Sequence, residues 1–406
     1  MKTDLITVPG TIGLAAAAGP WECVVVGAGP AGAAAALRLA RNGVRVLLVD
    51  RANLPRGKVC GCCLSPAALR ELALLGLEAI AAGAGQPLKT LALSSGGWTA
   101  RLPFRGGVVI SRERLDLAIV VAGCAAGVEW LPGVDVVAAT VGADGAVAVS
   151  LRGVADGAVV TIRSQRLILA TGLVDHVRGD ADDRAERGSR GAVGNARCLI
   201  GVGTTLPADA SDLPPGELRM RVGLRGYCGL VRLEDGRIDV AAALDRAAVR
   251  AAGGPVDALL ALFDNGSDAD ANELVASLRA ARLTATPPLT RRAPPSSWQG
   301  RILRVGDAAA YVEPFTGEGI GWALASARLA ADTILQGAGA ARVGEVYAGA
   351  HQRHFVAPHA RCRRVVSWLR SPALVTAAVA SARIVPRLAA RIVPLVVGAG
   401  ARGGAA

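Results

Sequence analysis

The sequence predicts an α/β protein that opens with a parallel strand–helix–strand unit and carries a second, smaller region built on a sheet. Three observations lead to this class. Residues 23–26 form an apolar run too short for a helix, a stretch rich in glycine and alanine follows, and residues 44–49 form a second apolar run ending at Asp50. Residues 134–137, 146–151 and 159–170 read as a strand meander with turns at Asp144-Gly145 and Asp156-Gly157. Near the other end, residues 301–305 form a further short strand, and a long helix is expected from Gly317 to about Gln336.

The first unit can be justified residue by residue. A run as short as 23–26, apolar throughout, suits a strand covered on both faces. The Ala/Leu segment after it reads as a helix through Arg41, stopped at Asn42-Gly43, and the next strand must then run parallel to the first. Between strand and helix lies Gly27-Ala28-Gly29-Pro30-Ala31-Gly32, a GxGxxG segment in the Rossmann setting. In such a turn the first glycine permits the tight bend, the second lets backbone approach a pyrophosphate, and the third lets the helix pack on the sheet. The helix start adds free N–H groups and the positive end of its dipole. Asp50, about 20 residues on, stands where a ribose-binding acid belongs, with Arg51 beside it.

Further along, residues 64–77 read as a helix, 86–109 as short strands separated by glycines, and 112–123 as a helix. From Gly172 to about Ala210 the pattern is lost among Asp, Arg and Gly, which suggests a loop. Residues 218–244 return to strands with a turn at Asp235-Gly236. A helical region runs to about Arg282, and residues 286–295 form a proline-rich crossing. No convincing internal repeat is present.

Bulk properties narrow the class. The 406 residues suffice for two connected lobes, and a composition 52% hydrophobic and 19% charged fits a soluble globular protein. The formal charge of +12 comes almost wholly from arginine, since Lys2, Lys58 and Lys89 are the lysines. Codon bias explains that excess, with attraction to an anionic membrane as the sharper alternative. Dispersed arginines and 3% aromatics argue against nucleic acid. The eight cysteines (Cys23, Cys60, Cys62, Cys63, Cys124, Cys198, Cys228 and Cys362) form no pair of CxxC elements, so no zinc is expected, and a reducing cytoplasm fits best. The N-terminus has no convincing signal peptide, and no apolar stretch reaches the roughly 18 residues of a spanning helix.

A second motif separates the dinucleotides. Leu303-Arg304-Val305-Gly306-Asp307-Ala308-Ala309, followed by Glu313-Pro314-Phe315-Thr316-Gly317-Glu318-Gly319, resembles the GD motif of the group containing aromatic hydroxylases, geranylgeranyl reductases and flavin-dependent halogenases. Residues 55–66, which include Pro55-Arg56-Gly57-Lys58-Val59-Cys60-Gly61-Cys62-Cys63-Leu64, resemble the loop that passes close to the isoalloxazine in geranylgeranyl-reductase-like flavoproteins. Ser111-Arg112-Glu113-Arg114-Leu115-Asp116 resembles the same group's helix start, whose first arginine reaches the cofactor. The resemblance covers roughly residues 20–340.

This resemblance implies FAD as cofactor and a glutathione-reductase-like FAD-binding Rossmann-type domain with a smaller sheet-based substrate domain. The expected division is 20–84, 111–172 and 296–340 for FAD, 85–110 and 173–295 for substrate, and 341–406 as a helical C-terminal extension. The cofactor-binding candidates are Gly27, Gly29, Pro30, Ala31, Gly32, Asp50, Arg51, Arg112, Val136, Asp307, Pro314, Gly317 and Gly319. Asp307 is expected to hydrogen-bond the ribityl chain, and the loop through Gly317 to open a helix aimed at the flavin pyrimidine edge. A helix N-terminus there stabilises the negative charge of reduced flavin. Lys58 and Cys60 are the catalytic candidates, Lys58 to stabilise an anionic flavin or its oxygen adduct, Cys60 to line the substrate face. A solvated loop charge and simple packing are the plainer readings of the two.

Departures from the group mark where it is not followed. Cys62 and Cys63 stand where glycine is common, Ala170-Thr171-Gly172 replaces an Asp-Gly segment of the hydroxylases, and Gly226-Tyr227-Cys228-Gly229-Leu230-Val231 lacks the tryptophans of reductases and halogenases. His176, His351, His354 and His359 have no metal-ligand context, and the last three are expected on a surface helix. Glu313 and Glu318 flank the expected flavin site or serve only the helix start. Arg383, Arg387 and Arg391 recur every four residues, which suggests a basic amphipathic surface over 383–393 for peripheral membrane contact, although Pro386 and Pro394 interrupt it.

The expected function is redox chemistry on a hydrophobic small molecule or lipid, most like a C=C reductase of the geranylgeranyl reductase type. The electron donor would be NAD(P)H or a separate reductase, and the location cytoplasmic, with membrane association as an option. A flavin monooxygenase is the alternative in the same class. A non-catalytic escort of prenylated proteins, or a flavoprotein that matures a protein partner, is the alternative in another.

Overall fold

The computed structural model describes residues 8–104, 106–174, 177, 199–263, 271–289, 298–313, 315, 317–337 and 342–384. Two large sheets dominate it. In the first, the strands Ile302–Arg304, Val159–Leu169, Pro20–Val26, Val46–Asp50 and Glu129–Pro132 lie side by side in that order, all parallel. The long strand Val159–Leu169 serves two neighbours. Its later half pairs with Pro20–Val26, and its earlier half pairs antiparallel with Val147–Gly153, which in turn pairs with Val134–Val141.

The helices Pro30–Ala40, Arg112–Ala125 and Gly319–Leu335 cover one face of this sheet, and the meander closes over the other. Ala33, Ala34, Ala35 and Ala36 are all but fully buried, so the first helix can lie close against its neighbours through methyl groups alone. Leu37, Leu39, Leu48, Leu115 and Ile119 fill the gaps, each worth about 1.5–3 kcal/mol of burial. Trp21 and Trp130 are fully buried, and Trp21 Nε1 donates to the Ala17 carbonyl at 2.9 Å.

The second sheet has seven strands in the order Thr284–Pro288, Leu199–Leu206, Ile238–Asp245, Gly226–Arg232, Glu217–Gly223, Thr90–Ser95 and Trp98–Pro103. All its pairings are antiparallel except that of Glu217–Gly223 with Thr90–Ser95. Residues from 90–103 and 199–288 thus meet in one sheet, separated in sequence by much of the first. A small third sheet, Cys63–Leu64, Val108–Val109 and Gln86–Pro87, lies between the two at the cysteine-rich loop.

Several expectations need correction. The segment read as a loop from 172 to about 210 contains the strand Leu199–Leu206, paired on both sides. The proline-rich crossing begins as an edge strand, Thr284–Pro288, where proline is tolerated because one side of the strand is unpaired. The long helix begins at Gly319, two residues after Gly317. His359, expected on a surface helix, is buried, its ring 4.6 Å from that of Trp322 and stacked on Phe355. Pro314, His176, Arg387 and Arg391 lie outside the described residues. Among those residues no single helix is long and apolar enough to cross a membrane.

Candidate active site

Apart from Gly32, every predicted site residue that is described lies at one place, the cleft where the C-terminal ends of the parallel strands face the second sheet. A cavity of about 580 Å³ occupies it. Gly27, Gly29, Pro30, Ala31, Asp50, Arg51, Lys58, Cys60, Arg112, Val136, Asp307, Gly317 and Gly319 all line that cavity. Gly32 does not. It stands one layer behind, where a β-carbon would come within 1.8 Å of the Gly27 carbonyl oxygen, so only glycine lets helix and turn meet. Gly27 has φ +103° and a β-carbon there would strike the Ala170 carbonyl at 2.3 Å, which fixes the bend of the turn against the neighbouring strand.

Asp50 closes this turn from the side. Its carboxylate accepts from the Ala28 N–H at 2.7 Å, the Ala52 N–H at 2.9 Å and both ends of the Arg56 guanidinium at 2.6 and 2.7 Å. It therefore ties the glycine turn to the loop that carries Lys58 and Cys60. The role of Arg56 was not read from the sequence, although an Arg six residues after the acid offered a signal. Arg112 enters from the opposite side. Its neighbour Ser111 caps the Arg112–Ala125 helix by accepting from the Arg114 N–H, and is itself anchored on Glu234. Asp116, one turn on and fully buried, grips Arg112 through two bonds of 2.8 Å, and Arg112 Nη2 lies over Gly29.

The second motif meets the first through small residues. Gly306, at φ +61°, lies against the Ala31 methyl group, and its N–H donates to Ser326 Oγ at 2.7 Å. Asp307 follows in a single 3-10 turn at the cavity wall. Gly317, also with positive φ, leads into the helix starting at Gly319, whose N-terminal end borders the cavity.

The electrostatics of the loop 56–63 are unusual. Lys58 is held below its ordinary value, first by desolvation and then by the Arg56 guanidinium. The Cys60 thiol is brought down to about 6, chiefly by a hydrogen bond from the Cys62 side chain, with Arg112 adding to the effect against the opposing influence of burial. Cys62 and Cys63 are both pushed up. Asp239, on a central strand of the second sheet and 6% exposed, is pushed well up by burial and the charge on Cys60. Sequence reading missed Asp239, although an acid inside the apolar run 238–244 was a visible signal.

Away from the glycine turns the cavity is apolar. Leu88, Phe104, Leu218, Met220, Tyr227 and Phe315 line it, with the Tyr227 and Phe315 rings edge to face at 5.0 Å. Behind them, burial raises the Glu313 carboxyl, which lies 3.6 Å from Arg370.

The chain has an appreciable likeness to known proteins. Residues 21–188 match the family model described as pyridine nucleotide-disulphide oxidoreductase. A menaquinone reductase of Mycolicibacterium smegmatis is 31% identical over 365 residues, covering 86% of this chain and 85% of the relative. The chain belongs to the family of that menaquinone reductase. It is an FAD-dependent oxidoreductase or monooxygenase, and the family's flavoprotein fold is shared with solved structures. A geranylgeranyl bacteriochlorophyll reductase-like protein from Thermoplasma acidophilum superposes with TM-score 0.70 at 18% identity, covering 90% of this chain and 91% of that one. PqsL from Pseudomonas aeruginosa, a probable FAD-dependent monooxygenase, does so with TM-score 0.66 at 20% identity, covering 89% and 100%.

The residues fit FAD. Backbone at Gly29 is open to the cavity, with Arg112 Nη2 at 3.7 Å the nearest atom to a β-carbon built there. Thr171 Oγ1, at the same end, is buried with no hydrogen-bond partner among the described residues.

Proposed function

We propose that this oxidoreductase reduces a carbon–carbon double bond in the isoprenoid chain of a lipid, with a prenylated quinone as the leading candidate. The observation carrying this reading is the continuity of one cavity from the glycine turns to an apolar end walled by Leu218, Met220, Tyr227 and Phe315. An apolar chain entering that end would lie with one bond near the loop 58–60. The menaquinone reductase relative and the geranylgeranyl reductase-like neighbour support the same substrate class.

Bound reduced FAD would supply both hydrogens of the saturated bond, one as a hydride and one as a proton. In this reading the turn at Gly27–Gly29, with Asp50, Arg51, Val136 and Arg112, holds the dinucleotide, and Arg112 lies where a pyrophosphate charge would be met. Asp307 holds the ribityl chain. The helix start at Gly319, reached through Pro314 and Gly317, faces the pyrimidine edge and favours the negative charge of the reduced ring. Lys58 offsets that same charge from the loop side. Cys60 lines the substrate face, and the apolar walls exclude water from the reacting bond. The division 20–84, 111–172 and 296–340 for cofactor, against 85–110 and 173–295 for substrate, goes with this assignment.

The substrate class also accounts for an exposed patch. Leu374 and Ile384 are exposed on the helix Pro372–Ile384, Trp368 is exposed at the end of the helix before it, and Arg383 lies over Trp98 at 5.5 Å. We infer that this patch rests on an anionic bilayer from which the lipid is drawn; sedimentation with phosphatidylglycerol vesicles checks it, retention at low salt and release at high salt being expected.

The test is product analysis. Enzyme reduced under argon and incubated with a menaquinone should yield a lipid heavier by two hydrogens, located in the side chain by fragmentation. A product heavier by one oxygen, formed only in air, would instead assign a hydroxylase.

A further inference from the structure

We propose that Cys60 and Cys62 are a redox-active dithiol, a second redox site beside the flavin cleft whose reaction partner is a low-molecular-weight disulfide or dithiol. Three observations carry it, and none depends on the identity of the lipid. The first is placement. Cys60 lines the cavity while Cys62, two residues on, is 3% exposed and does not, so an incoming reagent meets Cys60 first.

The second is conformation. Cys62 has φ +52°, a left-handed geometry that disfavours residues with a β-carbon, and no other described non-glycine residue shares it. That turn brings Cys62 Sγ back to 3.7 Å from the Cys60 carbonyl, onto the residue whose sulfur it would join. Cys63 is committed elsewhere, its Sγ donating to the Gly61 carbonyl at 3.0 Å.

The third is charge. Arg112 shares the cavity wall with Cys60 and favours its thiolate, whereas the buried Asp239 carboxyl disfavours ionisation of Cys62. Cys60 is therefore the attacking thiolate and Cys62 the resolving thiol, an arrangement that favours exchange.

The Cys60 thiolate attacks one sulfur of the external disulfide, breaking its S–S bond and expelling one thiolate. Cys62 gives its proton to that thiolate and attacks Cys60 Sγ, forming the Cys60–Cys62 disulfide and expelling the second. Two protein thiols are oxidised and one external disulfide becomes two thiols; an external dithiol reverses the sequence.

The holoenzyme is equilibrated anaerobically in mixtures of oxidised and reduced dithiothreitol, quenched in acid, alkylated and mapped by peptide mass spectrometry. One Cys60–Cys62 disulfide per chain should appear along a single sigmoid as the oxidised share rises. It should persist in Cys63→Ser and be lost in Cys62→Gly, a variant whose glycine suits the left-handed turn and whose retained flavin content reports correct folding. Cys60 and Cys62 remaining alkylatable at every ratio, or a bond mapped to Cys63, would overturn the assignment.

Discussion

Arg112 is held over Gly29 by Asp116, through two hydrogen bonds of 2.8 Å from a carboxylate with no solvent exposure. The pair orients the guanidinium toward the turn before any ligand arrives. Asp116→Ala would leave a largely buried cation without its partner, at a cost of about 3–5 kcal/mol. The variant should melt at lower temperature and bind FAD at least ~10-fold more weakly, a loss of about 1.4 kcal/mol in binding. Thermal denaturation and fluorescence titration of the apoprotein measure the two effects.

Gly32→Ala should remove flavin binding without touching the cavity wall. The new methyl group would sit 1.8 Å from the Gly27 carbonyl oxygen, a backbone atom that cannot swing aside. Helix and turn must separate, and the expected destabilisation is about 1–3 kcal/mol, as for overpacked cores. Urea denaturation and the flavin absorbance per chain report it. A variant with wild-type flavin content would mean that the turn has slack.

The Cys60 thiol sits near 6 instead of its ordinary 9. A lowered value means that the thiolate is present at neutral pH and disappears only as pH falls through about 6. Alkylation of Cys60 by iodoacetamide should therefore stay fast from neutral pH down to that point. Arg112→Gln and Cys62→Gly should each move the midpoint of the rate profile upward, because each removes a group that favours the charged form.

Phe315 and Tyr227 together wall the apolar end of the cavity. Phe315→Ala removes that wall but leaves every glycine turn in place. The expected result is a KM for a long-chain prenyl lipid raised several-fold, with flavin content unchanged. Steady-state kinetics on a short and a long prenyl substrate tests this, since lost apolar contact should weaken the long chain more.

The local rules that place the glycine turn, Asp50 and the Gly306-Asp307 segment were legible in the sequence, because each depends on a few adjacent residues and a strand–helix boundary. What failed to show depends on partners far away in the chain. The strand Leu199–Leu206 includes Gly201, Gly203, Thr204 and Thr205, a composition that reads as loop. It is held as a strand by pairing on both sides, and Gly203 eases the fit, since a β-carbon there would approach the Val240 carbonyl at 3.1 Å. His359 looked like a surface residue because its burial comes from Trp322, on a different helix. Asp239 was missed for the same reason, since it comes from a strand far along the chain from the loop 56–63, whereas Arg56 stands only six residues from its partner Asp50 and was legible.

The central claim is most directly tested by a single turnover without oxygen. Enzyme whose flavin has been reduced photochemically is mixed with one equivalent of menaquinone under argon, and the flavin spectrum is followed while the lipid is analysed by mass. The account predicts reoxidation of the flavin in step with the gain of two hydrogens in the isoprenoid chain. A flavin that stays reduced until oxygen is admitted, with one oxygen atom then appearing in the product, would contradict it.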